Sequence, residues 1–321
     1  MNDHHHRCAI FLHYVIIALI IPPISIYATA KMSSPTTNPL AIATRLHLGH
    51  ASHPPPTSQL FETLSSFAQL ASTVGADHAV VAVDAEEKLE GYDLITEVTK
   101  ICKTLNGEGE TSDDSMVPKP APLHMPIHVL PVTPWGKFVP ALNAIVSWCA
   151  RKGAQYLLFA SAEVQLTEKV MEVMKQKLDL ENTLVVGTVL QGHEYNNSAD
   201  GEVEVELTGR TTPWNTCALW NVPKLALTGF LLVSDGLHPE EDGREGSGGV
   251  EEACTIATLQ RILQPSNAQA KLVSIPGTSW GQDFGNDEKR REWHERKMMS
   301  KFTRAKRQLD LMGLSGTVTH C

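Results

Sequence analysis

The stretch that decides the fold runs from Pro134-Trp135-Gly136-Lys137 through Ala141-Leu142-Asn143 to Tyr156-Leu157-Leu158-Phe159-Ala160-Ser161-Ala162-Glu163-Val164. A Gly-Lys turn leads into a helix, and the helix leads into an apolar strand that empties into a loop carrying Ser161 and Glu163. A carboxylate at the carboxyl end of a parallel strand can hold a hard divalent cation against phosphates, because such cations need oxygen ligands. Read alone, Ser161 and Glu163 are also what an ordinary strand-to-loop junction carries. The flanking sequence has to decide between the two.

Upstream, Leu40 to Leu48 reads as a first strand, and Thr57 to Val74 as an amphipathic helix with Leu60, Leu64, Phe67, Leu70 and Ala71 at helical spacing. Ala79 to Val83 is a short buried strand ending in Asp84, Tyr92 to Leu105 a second helix, and Ile127 to Val132 the next strand. Between them, Asn106 to Pro126 is acidic, contains proline and reads as a mobile surface insertion. Downstream, Thr167 to Leu178 is a helix, Thr183 to Leu190 a strand, and Gly201 to Leu207 alternates apolar and acidic residues as a half-exposed strand does. This alternation predicts an α/β domain over residues 39–314, a mixed, mostly parallel sheet flanked by helices, followed by a short tail at 315–321.

The order from Gly136 to Val164 resembles the core of family 2 glycosyltransferases of the GT-A type. There a Gly-Lys turn and an Ala-Leu-Asn helix precede a strand ending in Leu-Asp-Ala-Asp-Val. The resemblance implies a nucleotide-diphospho-sugar transferase fold and transfer of a sugar to a hydroxyl acceptor by an inverting mechanism, the acceptor being a glycan, lipid or protein. The family's Asp-x-Asp holds Mn²⁺ or Mg²⁺ on the donor diphosphate. Here Ser161-Ala162-Glu163 stands in its place, which leaves Glu163 as the metal ligand and Ser161 beside the donor.

By the same resemblance Asp84, Lys137 and Asn143 belong to the nucleotide-sugar site, although Asp84-Ala85-Glu86-Glu87 departs from the family's Asp-Asp-Gly-Ser loop. The first strand lacks the family's Pro-x-Tyr-Asn ending and has Leu46-His47-Leu48-Gly49 instead. Pro213 to Trp220 followed by Pro223 to Phe230 resembles the acceptor-side element, a loop and short helix closing on Gly-Phe. Gly249-Val250-Glu251-Glu252 matches a Gly-x-Glu-Asp at a helix start whose last residue is the catalytic base, so Glu252 takes that role beside Glu251. Two Glu in a first helical turn also simply complement the helix dipole. His294 and the surrounding basic run are placed to approach the diphosphate; the run equally suits a solvated helix face or anionic lipid. Ser161 also leaves open a metal-independent transferase, with Lys or Arg replacing the cation, and an inactive sugar-nucleotide-binding or assembly subunit.

Composition sets the outer bounds. The chain has 321 residues, 42% of them hydrophobic, enough for a large core. A formal charge of −9 argues against a nucleic-acid partner. Lys289 to Arg307 nevertheless concentrates nine Lys or Arg against two Glu. At the start, Cys8 to Ala30 has no charged residue, its apolar block stops at Pro22-Pro23, and Ala28-Thr29-Ala30 has the form of a signal-peptidase site. Residues 1–30 therefore read as a cleaved signal peptide or a signal anchor, with 31–38 as linker. Either places the body in the secretory lumen, Golgi or ER, secreted or membrane-anchored, unless Met32 is the start and the protein cytosolic. Asn196-Asn197-Ser198 is an N-glycosylation acceptor pattern compatible with that compartment. Cys102, Cys149, Cys217 and Cys254 lack zinc spacing and leave either disulfides or buried thiols.

Overall fold

Strand β1 (Leu40–Leu46) is an almost unbroken apolar run because both its faces are covered: Leu40 and Ile42 enter one core, Ala41 and Ala43 the other. The computed structural model describes residues 38–48, 53–86, 89–108, 125–196, 201–235, 250–280 and 288–321, without the side chains of 289–291 and 293–299. After β1 come α1 (Thr57–Thr73), β2 (His78–Asp84), α2 (Leu94–Leu105), β3 (Ile127–Val132), α3 (Val139–Arg151) and β4 (Tyr156–Ala160). A two-residue strand β5 (Val164–Gln165) leads to α4 (Glu168–Lys177), β6 (Thr183–Thr188), β7 (Val203–Glu206), β8 (Cys217–Asn221) and the single turn α5 (Val222–Leu225). The chain closes with α6 (Glu251–Leu263), β9 (Gln269–Val273), β10 (Ser279–Trp280), α7 (Glu288–Met312) and β11 (Thr317–His320).

Nine strands form one sheet in the order β3-β2-β1-β4-β8-β6-β9-β11-β7. β8 runs antiparallel between β4 and β6, β7 runs antiparallel at the edge, and the other seven are parallel. Helices α1, α2 and α4 cover one face and α3, α6 and α7 the other, each with its own apolar core. The fold is thus α/β with a large, mostly parallel mixed sheet between helical layers. The chain steps from β1 outward through β2 to β3, then returns to pair β4 on the other side of β1. That reversal is a topological switch point, and open α/β sheets bind ligands in the crevice outside the carboxyl ends of such strands.

Three expectations change. The stretch Pro213 to Trp220 is not only a loop, since Cys217–Asn221 is a fully buried central strand in register with β4 through Ala160↔Cys217. The resemblance assigned this stretch to an acceptor-side loop, and Pro213 and Asn215 before the strand are themselves loop-forming residues. The helix expected up to Phe230 is one turn long, because Gly229 takes φ 62° and leads the chain away. The expected tail at 315–321 instead supplies β11, paired with both β9 and β7. The targeting segment, residues 109–124 of the insertion, 236–249 and Asn197-Ser198 lie outside the described residues. Among the described residues no helix is long and apolar enough to cross a membrane. Cys102, Cys149, Cys217 and Cys254 are buried free thiols.

Candidate active site

At the switch point the carboxyl end of β4 turns sharply. The Ser161 amide donates to the Thr216 carbonyl at 2.9 Å and the Val164 amide to the Ser161 carbonyl at 3.0 Å. This turn lifts Ser161 and Glu163 above the sheet, where the Ser161 hydroxyl donates to Glu163 Oε2 at 3.0 Å. β10 then pairs with β5, placing Trp280 opposite Val164. Because β8 is antiparallel, its first end lies at the same edge, and Asn215 and Thr216 join Ser161 there.

Helix α6 returns to this edge with Glu251 and Glu252 in its first turn, both buried, Glu252 only 4% exposed. The backbone amide of Asn215 donates to Glu252 Oε1 at 2.6 Å, and Asn215 is itself fixed by the Trp220 indole donating to its Oδ1 at 2.9 Å. Burial pushes the Glu252 carboxyl up to about 7; the neighbouring Glu251 charge adds to the rise, while Lys301 and the Asn215 amide oppose it. Arg304, one helical turn beyond Lys301 on α7, is drawn down by burial and held up by both glutamates. From β1, Arg45 reaches across the start of α3, donating to the Phe138 carbonyl at 3.3 Å with its guanidinium 5.5 Å from the Phe138 ring.

These groups line one cavity of about 670 Å³. Ser161, Glu163, Glu251 and Glu252, four of the residues singled out from the sequence, meet on its wall, with Arg45, Lys301 and Arg304 among them. Asp84, Lys137 and Asn143 do not line it. Asp84 is buried at the end of β2, where Oδ1 accepts from the Glu86 amide at 3.1 Å. Asn143 clamps the α5 exit: Oδ1 accepts from the Phe230 amide at 2.7 Å and Nδ2 donates to the Phe230 carbonyl at 2.9 Å. The His294 side chain lies outside the described residues.

The Gly-Lys turn also has a use that the sequence did not suggest. The amides of Lys137, Phe138 and Val139 at the start of α3 all donate to the Asp235 carboxylate, at 2.9, 2.7 and 2.8 Å. The anion at this helix N-terminus is the protein's own. Gly136 sits at φ 64°, and a Cβ there would lie 2.5 Å from Asp235 Oδ2, so the turn requires glycine. Replacing Asp235 with Ala leaves three helix-start amides without this acceptor and is expected to cost about 1–3 kcal/mol in urea unfolding. Asp235→Asn, which keeps one acceptor oxygen, should lose less. A cost indistinguishable from zero would remove the clamp from the fold's supports.

Arg45, Asn215, Lys301 and Arg304 also line the cavity, and no sequence motif singles them out. Lys301 and Arg304 fall three apart on one helix, the spacing that puts two side chains on one face, yet they were two of nine cations in the run. For a divalent ion the donor set is thin: among the described residues no three His, Cys, Asp or Glu side chains converge where an ion could be held. An ion at Glu163 would take that carboxylate, the Ser161 hydroxyl and otherwise ligand or water oxygens. No protein-family model matches this chain, and no curated protein matches it.

Proposed function

We propose that the chain is a GT-A-like glycosyltransferase that moves a sugar from a nucleotide-diphosphate donor to a hydroxyl acceptor. The observation that carries this reading is the cavity at the β1–β4 switch point, lined together by a buried carboxylate with raised proton affinity, the Ser161–Glu163 turn and the cations Arg45, Lys301 and Arg304. Glu252 is the base: it takes the acceptor proton as the acceptor oxygen bonds to the anomeric carbon. The bond from that carbon to phosphate breaks, and its electron pair leaves with the diphosphate. A carboxyl poised near 7 suits a base working at neutral pH. Arg45, Lys301 and Arg304 offset the charge that develops on the departing diphosphate. A divalent ion, when bound at Glu163 with the diphosphate, would add Lewis-acid stabilisation to that same leaving group.

A panel of nucleoside diphosphates and nucleotide sugars, read by thermal shift with and without Mn²⁺, tests the donor class, since a ligand of the folded state raises stability by mass action. Stabilisation by at least one member is expected, and Glu163→Ala should remove its Mn²⁺-dependent part. An unchanged shift in that variant would move the metal elsewhere. A second reading, a binding or assembly subunit of the same fold, draws on Ser161, whose hydroxyl donates to the one carboxylate left in the motif. Nucleotide binding without turnover in the wild type would select it.

A further inference from the structure

Trp214 is 1% exposed and lies between two groups that cannot share one of its faces. The His193 ring stacks on it with centroids 3.7 Å apart and planes inclined by 24°, and Lys301 Nζ stands 3.5 Å from its ring centroid. At those distances both would collide on one side, so the indole is sandwiched. His193 is held as the neutral tautomer that makes this possible: Nδ1 accepts from the Leu190 amide at 2.9 Å and Nε2 donates to the Thr212 carbonyl at 3.0 Å. Burial and the Lys301 charge both disfavour its protonation, lowering it to about 3.

The same stack fixes the backbone beneath Lys301. The Trp214 indole donates to the Gly209 carbonyl at 2.9 Å, and a Cβ on Gly209 would collide with the Lys301 carbonyl oxygen. One residue further on, the Asn215 amide holds Glu252. A three-residue segment, Pro213 to Asn215, therefore sets the place of a cation and of a carboxylate on one cavity wall. A lysine on a flexible four-carbon stem ordinarily loses rotamer freedom when it grips a ligand; here the ring holds the ammonium beforehand by cation–π attraction.

We propose that Lys301, mounted on the Trp214–His193 stack, is a catalytic residue that contacts the phosphate oxygens of the donor, with Trp214 and His193 as its positioning residues. This rests on the transferase reading for the role but not for the anion contact, which a phosphate probe tests alone. The full chain is titrated with inorganic pyrophosphate in a calorimeter at pH 7 without divalent ions. Lys301→Met should weaken binding about tenfold or more, the scale of one charge-assisted hydrogen bond, and Lys301→Arg should restore it to within roughly threefold. Trp214→Leu should weaken binding nearly as much, with no further loss when combined with Lys301→Met, because the ring acts through the lysine. Trp214→Phe keeps a π face and should recover most of the affinity, which a general packing defect would not.

Wild type that binds no pyrophosphate at millimolar concentration, a Lys301→Met variant that binds normally, or additive losses in the double variant would each overturn the proposal. Pyrophosphate binding that depends on Lys301 in a protein turning over no nucleotide sugar would uphold it while the transferase reading fails. Turnover unaffected by Lys301→Met would do the reverse.

Discussion

On the proposed mechanism, Glu252→Gln is expected to lower turnover of the matching nucleotide sugar by about 100-fold or more, the usual scale of a positioned general base, with fold and donor binding kept. The amide keeps an acceptor oxygen for the Asn215 amide, so the start of α6 stays anchored to the loop before β8. Glu251→Gln should be milder and differ in kind. Glu251 helps raise the proton affinity of Glu252, so removing its charge shifts the acidic limb of the kcat/KM profile below its expected position near pH 7. Lys301→Met, which removes an opposing charge, should shift the same limb upward. Pairing adjacent variants makes the comparison internal, because a stability defect would strike neighbours in one helical turn alike. Equal and small effects of the two Gln substitutions, or a rate flat between pH 5 and 8, would remove Glu252 from the base role.

The parts of this architecture that were legible are those in which a local pattern and the global fold ask for the same residue. Leu60, Leu64 and Phe67 announce α1 because a helix laid on a sheet must bury one stripe, and all three are buried. Ile127 to Val132 matched the observed strand at both ends. β8 was illegible for the opposite reason. Its direction reverses that of its neighbours, its five residues are buried on both faces, and Asn221 at its end serves as the N-cap of α5 by accepting from the Lys224 amide. β4, equally short and almost as buried, was legible because nothing competed for its residues, whereas the resemblance gives the stretch from Pro213 to Trp220 to a loop.

The site divides in the same way. Ser161, Glu163, Glu251 and Glu252 line one cavity because each sits at an element boundary, where spacing to a strand end or helix start fixes its place. Lys137 and Asn143 stand apart from this cavity: the Lys137 backbone amide donates to the Asp235 carboxylate, and the Asn143 amide group is taken up by the Phe230 backbone. Arg45 reaches the cavity from a position distant in sequence, and Trp214 bears on it only through Lys301, so tertiary packing alone shows what they face.

The second large effect is on stability, and it runs against the usual intuition about removing a charge from a site. Glu252 is raised from 4.5 to about 7 in the folded protein, so between those values the native state binds a proton that the unfolded chain has released. Stability should therefore fall as pH rises through this window, by about 3 kcal/mol for this group once it is fully ionised. Glu252→Gln cannot ionise, and above pH 7.5 it should exceed the wild type by about that amount while matching it near pH 4.5. His193 contributes the opposite slope: lowered to about 3, it stays neutral where the unfolded chain takes a proton, so its part of the stability rises with pH from about 3 to 6.5. Between about pH 4.5 and 6.5 the slopes of these two groups oppose each other. Urea unfolding of both proteins across pH 4.5 to 8.5, read as a difference, cancels His193 and isolates Glu252. A difference that stays at zero above pH 7.5 would mean that Glu252 ionises at little cost, and the buried, proton-poised base on which the mechanism depends would be lost with it.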